Sequence, residues 1–337
     1  MKWIITGGAG FIGSNFASRL HCLGGEAILI DTLIRPRVEQ NAVWLKESFG
    51  IETIQVDIRD KFGLSQIFRS HRDADAVIHL AGQVSLLDSI KDPRTDYEVN
   101  VIGTFNILEC VREFTPNAHL IYSSTNKVYG DLSHVHFEEG RFRYSTNEWP
   151  NGFAETLPIA PAGGYGVSKC SAEFFVTDWG KTYDMKTTVL RQSSIYGERQ
   201  FSTSDQGWAA FFVESFLRNT DFQINGNGKQ VRDLLYVGDL FRLVQQILKC
   251  GLEASGAFNV GGGHENSLSL LELFNFLHAS TGNFPTYFSG PKRLHDQLIY
   301  ISDNTLVSSV TGWEPETGYR VGLTKLIEWT REGIFSD

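Results

Sequence analysis

Residues 2–14 read KWIITGGAGFIGS: an apolar run ends in glycines at 7, 10 and 13, and a helical pattern follows at once. No other stretch of the 337 residues restricts the backbone as much. Gly7 permits a tight turn, Gly10 lets main chain approach a pyrophosphate, and Gly13 lets the new helix pack closely on the strand. Free N–H groups and the positive dipole at the helix start then favour phosphate. A glycine triplet alone is a weak signal. Asp31 strengthens it by ending the next apolar run, EAILID, where a carboxylate can accept both hydroxyls of a ribose. The expected dinucleotide contacts in this unit are Gly7, Gly10, Phe11, Ile12, Gly13, Asp31, Thr32 and Arg35, with Asp57 and Ile58 placed for the adenine. Asp31 would repel a 2′-phosphate, which favours NAD over NADP, although Arg35 and Arg37 nearby oppose that preference.

Short apolar runs at 2–6, 26–31, 52–56, 75–80, 118–123 and 186–191 alternate with helical patterns near 11–24, 38–49, 60–71, 95–114 and 165–183. Such alternation implies a parallel sheet covered on both faces, and right-handed crossovers make it doubly wound. Beyond 191 the pattern is less regular. Helices are expected at 205–218, 239–250, 268–280 and 321–332, between turns such as NGNG (225–228). The expectation is an α/β protein: a doubly wound parallel Rossmann sheet over 1–191, with part of 233–260 returning to it, and a smaller mixed α/β substrate lobe over 192–337. Ligands sit at the carboxyl ends of such strands, so the cleft should face 6–13, 80–85, 123–130 and 191–200.

Composition excludes several classes. A net charge of −9 argues against a nucleic-acid surface. The four cysteines are scattered, with no pairing that suggests a metal site or a disulfide framework. No apolar segment reaches membrane-spanning length, and a cytoplasmic, reduced protein is expected.

Chemistry gathers where the fifth strand ends. IYSSTNKVYG (121–130) sets hydroxyls, an amide and an ammonium directly after a buried run. Forty residues beyond Thr125, Tyr165 and Lys169 stand one helical turn apart on one face. A phenol titrates near ~10 and is a poor base, but a neighbouring ammonium and a cationic nicotinamide both favour its ionised form. Thr125 can hold or relay a substrate hydroxyl proton.

Together, the glycine motif, Asp31, HLAG (79–82), Asn100, SST…VYG and YxxxK resemble the extended short-chain dehydrogenases/reductases that act on nucleotide sugars, the NAD-dependent epimerase/dehydratase family. The resemblance implies that Thr125, Tyr165 and Lys169 are catalytic. It also implies that Leu80, Ala81, Gly82, Gln83, Asn100 and Ser123, together with Tyr165 and Lys169, contact NAD. Sugar-nucleotide dehydratases of this family carry Asp-Glu after the catalytic Thr, and here Asn126 and Lys127 stand instead. Water elimination therefore lacks its carboxylates.

STNKVYGDL (124–132), HLAGQV (79–84), ERQFSTSDQGW (198–208), NGNGKQVRD (225–233) and NSLSLLELF (266–274) resemble a narrower subgroup, the CDP-sugar 2-epimerases acting on CDP-paratose. PAGGYG (161–166) departs from the pattern in lacking Ser-Pro before the Tyr. That likeness implies a transient 2-keto sugar with NAD recycled, and a role in lipopolysaccharide O-antigen synthesis. The nearest alternative is 4-epimerisation of another nucleotide sugar. Substrate contacts are expected from Gln83, Asn126, Lys127, Ser194, Arg199, Arg232, Arg293 and Asp296, with Asp205-Gln206 on the base. Two guanidiniums suit a diphosphate because each presents a planar fork. The resemblance further implies a homodimer or homotetramer. His79 is expected as a packed strand-end residue, His295 as a loop residue, and WAAFFVESF (208–216) as helix core.

Overall fold

The computed structural model describes residues 1–201, 203 and 206–335. Its first half alternates β1 (Lys2–Thr6), α1 (Phe11–Cys22), β2 (Glu26–Asp31), α2 (Val38–Phe49), β3 (Thr53–Gln55), α3 (Lys61–Ser70), β4 (Ala76–His79), α4 (Gly103–Phe114), β5 (His119–Thr125), α5 (Gly163–Thr182) and β6 (Thr187–Gln192). The second half contains β7 (Ser194–Tyr196), α6 (Trp208–Arg218), β8 (Phe222–Asn225), β9 (Val231–Tyr236), α7 (Val237–Cys250), β10 (Gly256–Val260) and β11 (Ser267–Ser269). It closes with α8 (Leu270–Thr281), β12 (Tyr287–Gly290), β13 (Ile299–Tyr300) and α9 (Tyr319–Phe335).

Seven parallel strands form the central sheet in the order β10-β6-β5-β4-β1-β2-β3. The architecture is a doubly wound α/β sheet. Alternate side chains explain its two layers: Trp3, Ile5 and Leu29 pack with Phe16, Leu20, Leu240 and Leu243 of α1 and α7, all buried. Ile4, Ile30, Val77 and Leu120 face the opposite way, onto Leu64 and Phe68 of α3, Ile107 and Val111 of α4, and Val176 of α5. Apolar residues on both faces are what a covered parallel strand requires.

The remaining strands build the far wall of the cleft. β9 pairs in parallel with β7 and β13 and antiparallel with β11. Phe212, Phe222 and Phe274 pack edge-on and tilted at 4.9 to 5.4 Å beside them, so the aromatic run of α6 is core. Ser269 and Glu272 close a reciprocal capping box at the start of α8.

Two local features differ from the sequence expectation. The pattern at 95–114 is a short helix, Pro93–Tyr97, a wide π turn, Glu98–Ile102, and then α4. A further short helix, Leu86–Lys91, is capped by the Ser85 hydroxyl, which accepts from Asp88 N at 3.0 Å. Its few apolar positions leave no periodic signal.

A buried charge cluster ties sheet, helix and inserted segment together. Glu173 on α5 accepts from Arg191 of β6 at 2.5 and 2.8 Å and from Ser124 of β5 at 2.7 Å. Arg191 also donates to Tyr129, which donates to Asn259 of β10. Asn259 N in turn donates to Glu155 at 2.6 Å. The long segment after β5 is thereby pinned, and Phe153 within it stacks on Tyr300 at 5.6 Å. Removing one partner of a buried pair leaves an uncompensated charge, which costs about 3–5 kcal/mol. Glu173→Ala should lower unfolding stability in urea by that order.

Candidate active site

A cavity of about 710 Å³ opens at the carboxyl ends of the central strands. Of the site residues expected from sequence, all but Asn100 and Lys169 line it, apart from Asp205, which lies outside the described residues.

The glycine loop forms one end. Gly7 has φ +67°, and a side chain there would meet Ala81 N at 2.8 Å. At Gly13 it would run into the Gly7 carbonyl and approach Gly8 Cα at 2.7 Å. Only glycine allows strand, loop and helix to close this far. Gly10 precedes α1 without a capping side chain, so the N–H groups at the helix start remain for a ligand. Asp31 is oriented by accepting from Ala9 N at 3.1 Å and Leu33 N at 3.0 Å. Arg37 is engaged elsewhere, beside Glu214 at 3.4 Å and over the Phe201 ring at 4.6 Å. Arg35 donates to Gln206 across the cavity. The cradle and the carboxylate fit a dinucleotide whose adenosine ribose is unphosphorylated.

Behind the loop runs a closed polar chain. Ala81 N donates to the Thr6 hydroxyl and Thr104 donates to Asn100 O, so Thr6 donates to His79 Nδ1 and Nε2–H donates to Thr104. Burial holds His79 neutral, with its pKa lowered to about 3. It is a packed strand-end histidine, as expected.

At the centre the Thr125 hydroxyl and the Tyr165 phenol both line the cavity, Thr125 donating to Asn126 Oδ1 at 3.3 Å. Burial, with the Asp96 charge, pushes that phenol up to about 12, against the nearby Thr125 hydroxyl and the Arg35 charge. Burial also brings the Lys169 ammonium down to about 7. The expected acidification of Tyr165 by Lys169 is therefore absent from the protein alone. Lys169 Nζ lies 4.2 Å over the Tyr122 ring, behind the cavity wall. A bound cationic ring would favour the Tyr165 phenolate and would further disfavour the Lys169 ammonium.

Asn100 is likewise a supporting residue and does not line the cavity. Its amide donates to Gln83 O at 3.0 Å and Ser168 Oγ at 2.9 Å, and accepts from Gln83 N at 2.9 Å. The Gln83 side chain is folded back onto both backbone groups of Ser85.

The opposite end is cationic. Asp296 Oδ1 receives Arg232 at 2.8 Å and Lys127 at 3.2 Å, with the Arg293 charge close by. Burial lowers Lys127 to about 8. Gln297, fully buried, accepts from Asn126 Nδ2 at 3.0 Å and donates to the backbone carbonyls of Asn126 at 3.3 Å and Gly130 at 2.8 Å. Sequence reading missed this latch; its one signal was adjacency to Asp296. Ser194 Oγ accepts from Trp208 Nε1 at 3.1 Å. Arg199 lines the cavity, with its guanidinium stacked 3.8 Å over the Trp44 ring. His295 is a loop residue with φ +58°.

Residues 3–261 match the profile of the NAD dependent epimerase/dehydratase family. The chain belongs to that family. It is 39% identical to a CDP-paratose 2-epimerase of Salmonella typhi, over 98% of this chain and 99% of that protein. Among solved structures, it resembles a Thermotoga maritima UDP-glucose 4-epimerase with UDP-glucose, at 31% identity and TM-score 0.81 over 99% of this chain and 100% of that one. A Thermus thermophilus UDP-glucose 4-epimerase in complex with NAD is 28% identical, with TM-score 0.81 over 98% and 99% of the two chains.

The buried imidazoles set an acid limit. His79 is lowered to about 3 and His119, which meets Thr188 Oγ1 at 2.7 Å, to about 4, both by burial first. Between pH 6.5 and 4 the unfolded chain binds protons that the folded one does not, so stability falls as pH falls. Each ring should contribute a little over ~1 kcal/mol per pH unit in that window, measured by urea unfolding against pH.

Proposed function

We propose that the protein epimerises a nucleotide sugar, inverting C2 of CDP-paratose to give CDP-tyvelose through a transient 2-keto sugar. The observation that carries this reading is the pairing, within one cavity, of the Thr125–Tyr165 hydroxyls with Lys127 on the following turn. No carboxylate follows Thr125; Asn126 is bound to Gln297 and Lys127 to Asp296. The extended likeness to the Salmonella typhi protein supports the same choice of sugar and base.

A carbinol C–H without an adjacent carbonyl is not acidic, so inversion cannot begin with proton abstraction from carbon. The NAD of this family supplies, when bound, a hydride acceptor and donor, and no net oxidation results. Gly7, Gly10, Gly13 and the start of α1 would hold its pyrophosphate, and Asp31 its adenosine ribose. Thr125 and Tyr165 hold the proton of the sugar hydroxyl and give it back. Lys127 lends positive charge to the carbonyl oxygen. Arg232 and Arg293 anchor the diphosphate, which leaves the sugar free to turn. The functional division falls at residue 191, with the cofactor side before it, the nucleotide-sugar side after it, and β10 returning to the sheet.

Among the described residues no helix is long and apolar enough to cross a membrane. We place the protein in the cytoplasm as a homodimer or homotetramer, and the exposed Phe174 and Val167 on α5 support self-association.

Purified protein given CDP-paratose without added cofactor should form CDP-tyvelose, followed by proton NMR at C2. In deuterated water C2 should keep its hydrogen; solvent deuterium there would contradict an internally returned hydride. Tyr165→Phe should lose about 10²–10⁴ in kcat, the usual worth of a positioned acid–base group. Turnover of UDP-sugars in place of CDP-sugars would favour 4-epimerisation.

A further inference from the structure

Asp96 is a carboxylate with 1% exposure, on the short helix before the π turn. Burying a carboxylate is unfavourable unless its charge is compensated. Its direct hydrogen-bond partner is neutral: Asn100 Nδ2 donates to it at 3.3 Å and also to the Ser168 hydroxyl at 2.9 Å, which ties the carboxylate to α5. The wide turn at Glu98–Ile102 places Asn100 against both Asp96 and α5, and π turns of this kind are frequent at functional sites.

The counter-charge lies one residue along α5. Lys169 is 4% exposed, and its Nζ flanks Gly82 on the side that Asn100 also flanks. A side chain on Gly82 would meet Asn100 Oδ1 at 2.9 Å and Lys169 Nζ at 3.8 Å. Among the described residues two carboxylates act on Lys169, Glu173 and Asp96. Glu173 is already committed to Arg191 at 2.5 Å and to Ser124 at 2.7 Å. Among the described residues Asp96 has no cation of its own within salt-bridge reach. The other groups facing this pair are the Tyr165 phenol on α5, with Arg35 beyond it, the Tyr122 ring of β5 and neutral His79 of β4. The Asp96 charge acts on the phenol directly by disfavouring its ionisation, so Asp96 helps the phenol only through Lys169.

We propose that Asp96 is a positioning residue of the reaction: the buried carboxylate that keeps Lys169 charged during turnover, held in place by Asn100, which also bonds Ser168. The proposal rests on Lys169 serving as the partner of Tyr165. Without Asp96 the ammonium would face a shared and already neutralised Glu173, and would lose its proton at lower pH. Lys169 could then no longer favour the ionised phenol. Asp96 thus serves the chemistry without touching substrate.

Asp96→Asn keeps the oxygen that accepts from Asn100 and removes the charge. In the NAD-loaded protein, with ¹⁵N-labelled lysine, the Lys169 titration should fall by about one pH unit, a tenfold change in its acid constant. The high-pH limb of kcat should move down with it, while KM for the nucleotide sugar stays within about twofold. Asp96→Glu should return the limb. Coupling is reciprocal, so Lys169→Met should raise the ¹³C-labelled Asp96 carboxyl by the same amount. That measurement decides the matter if Asp96→Asn does not fold. An Asp96 titration unmoved by Lys169→Met, or a kcat limb unmoved by Asp96→Asn, overturns the proposal. Coupled titrations in a protein inert toward CDP- and UDP-sugars would uphold the pair and reject the proposed function.

Discussion

The contact between Glu173 and Arg191 holds the two sides of the site in register. One carboxylate reaches the end of β5 through Ser124 and the end of β6 through Arg191. Through Tyr129 and Asn259 the same cluster reaches β10 and the segment around Glu155. These are the elements that carry Thr125, Tyr165 and Lys127. An ion pair at this depth loses so much hydration that it persists only with good geometry and further hydrogen bonds, and this one has both. It specifies an arrangement more than it adds stability.

Around that anchor the cavity has two electrostatic ends. The glycine end offers main-chain N–H groups and one carboxylate, Asp31, which suits a pyrophosphate joined to an unmodified ribose. The far end gathers Lys127, Arg232 and Arg293 about Asp296. Three cations and one anion leave a net +2, which matches a fully ionised diphosphate diester. Between the ends, burial moves the phenol and the ammonium toward their neutral forms. Their reactive forms therefore depend on the charges that surround them, from protein and ligand alike.

Much of this was legible along the chain. The strand-helix alternation gives six parallel strands in a doubly wound sheet, and part of 233–260 was expected to return to it, whereas the order of the strands came only from the tertiary structure. The glycine spacing, Asp31 and the Tyr165–Lys169 pair could be read locally, since each depends on neighbours within a turn or a strand. The stacking of Arg199 could not. The rings beside it, Trp44 and Trp329, come from distant parts of the chain, and a guanidinium serves equally for stacking or for phosphate. Gln297 and Asp96 were hidden for the same reason: each looks ordinary until a distant segment closes over it.

The chain by itself determined the sheet, the cradle and the types of chemical group available, because those follow from periodicity and from backbone conformations that only glycine adopts. Tertiary structure decided which groups face the ligand and which stand behind it. Lys169 and Asn100 lie behind the wall, Lys127 and Arg232 line it, and Asp96 is buried against α5. That sorting depends on desolvation and on long-range partners. Neither is encoded in the spacing of residues.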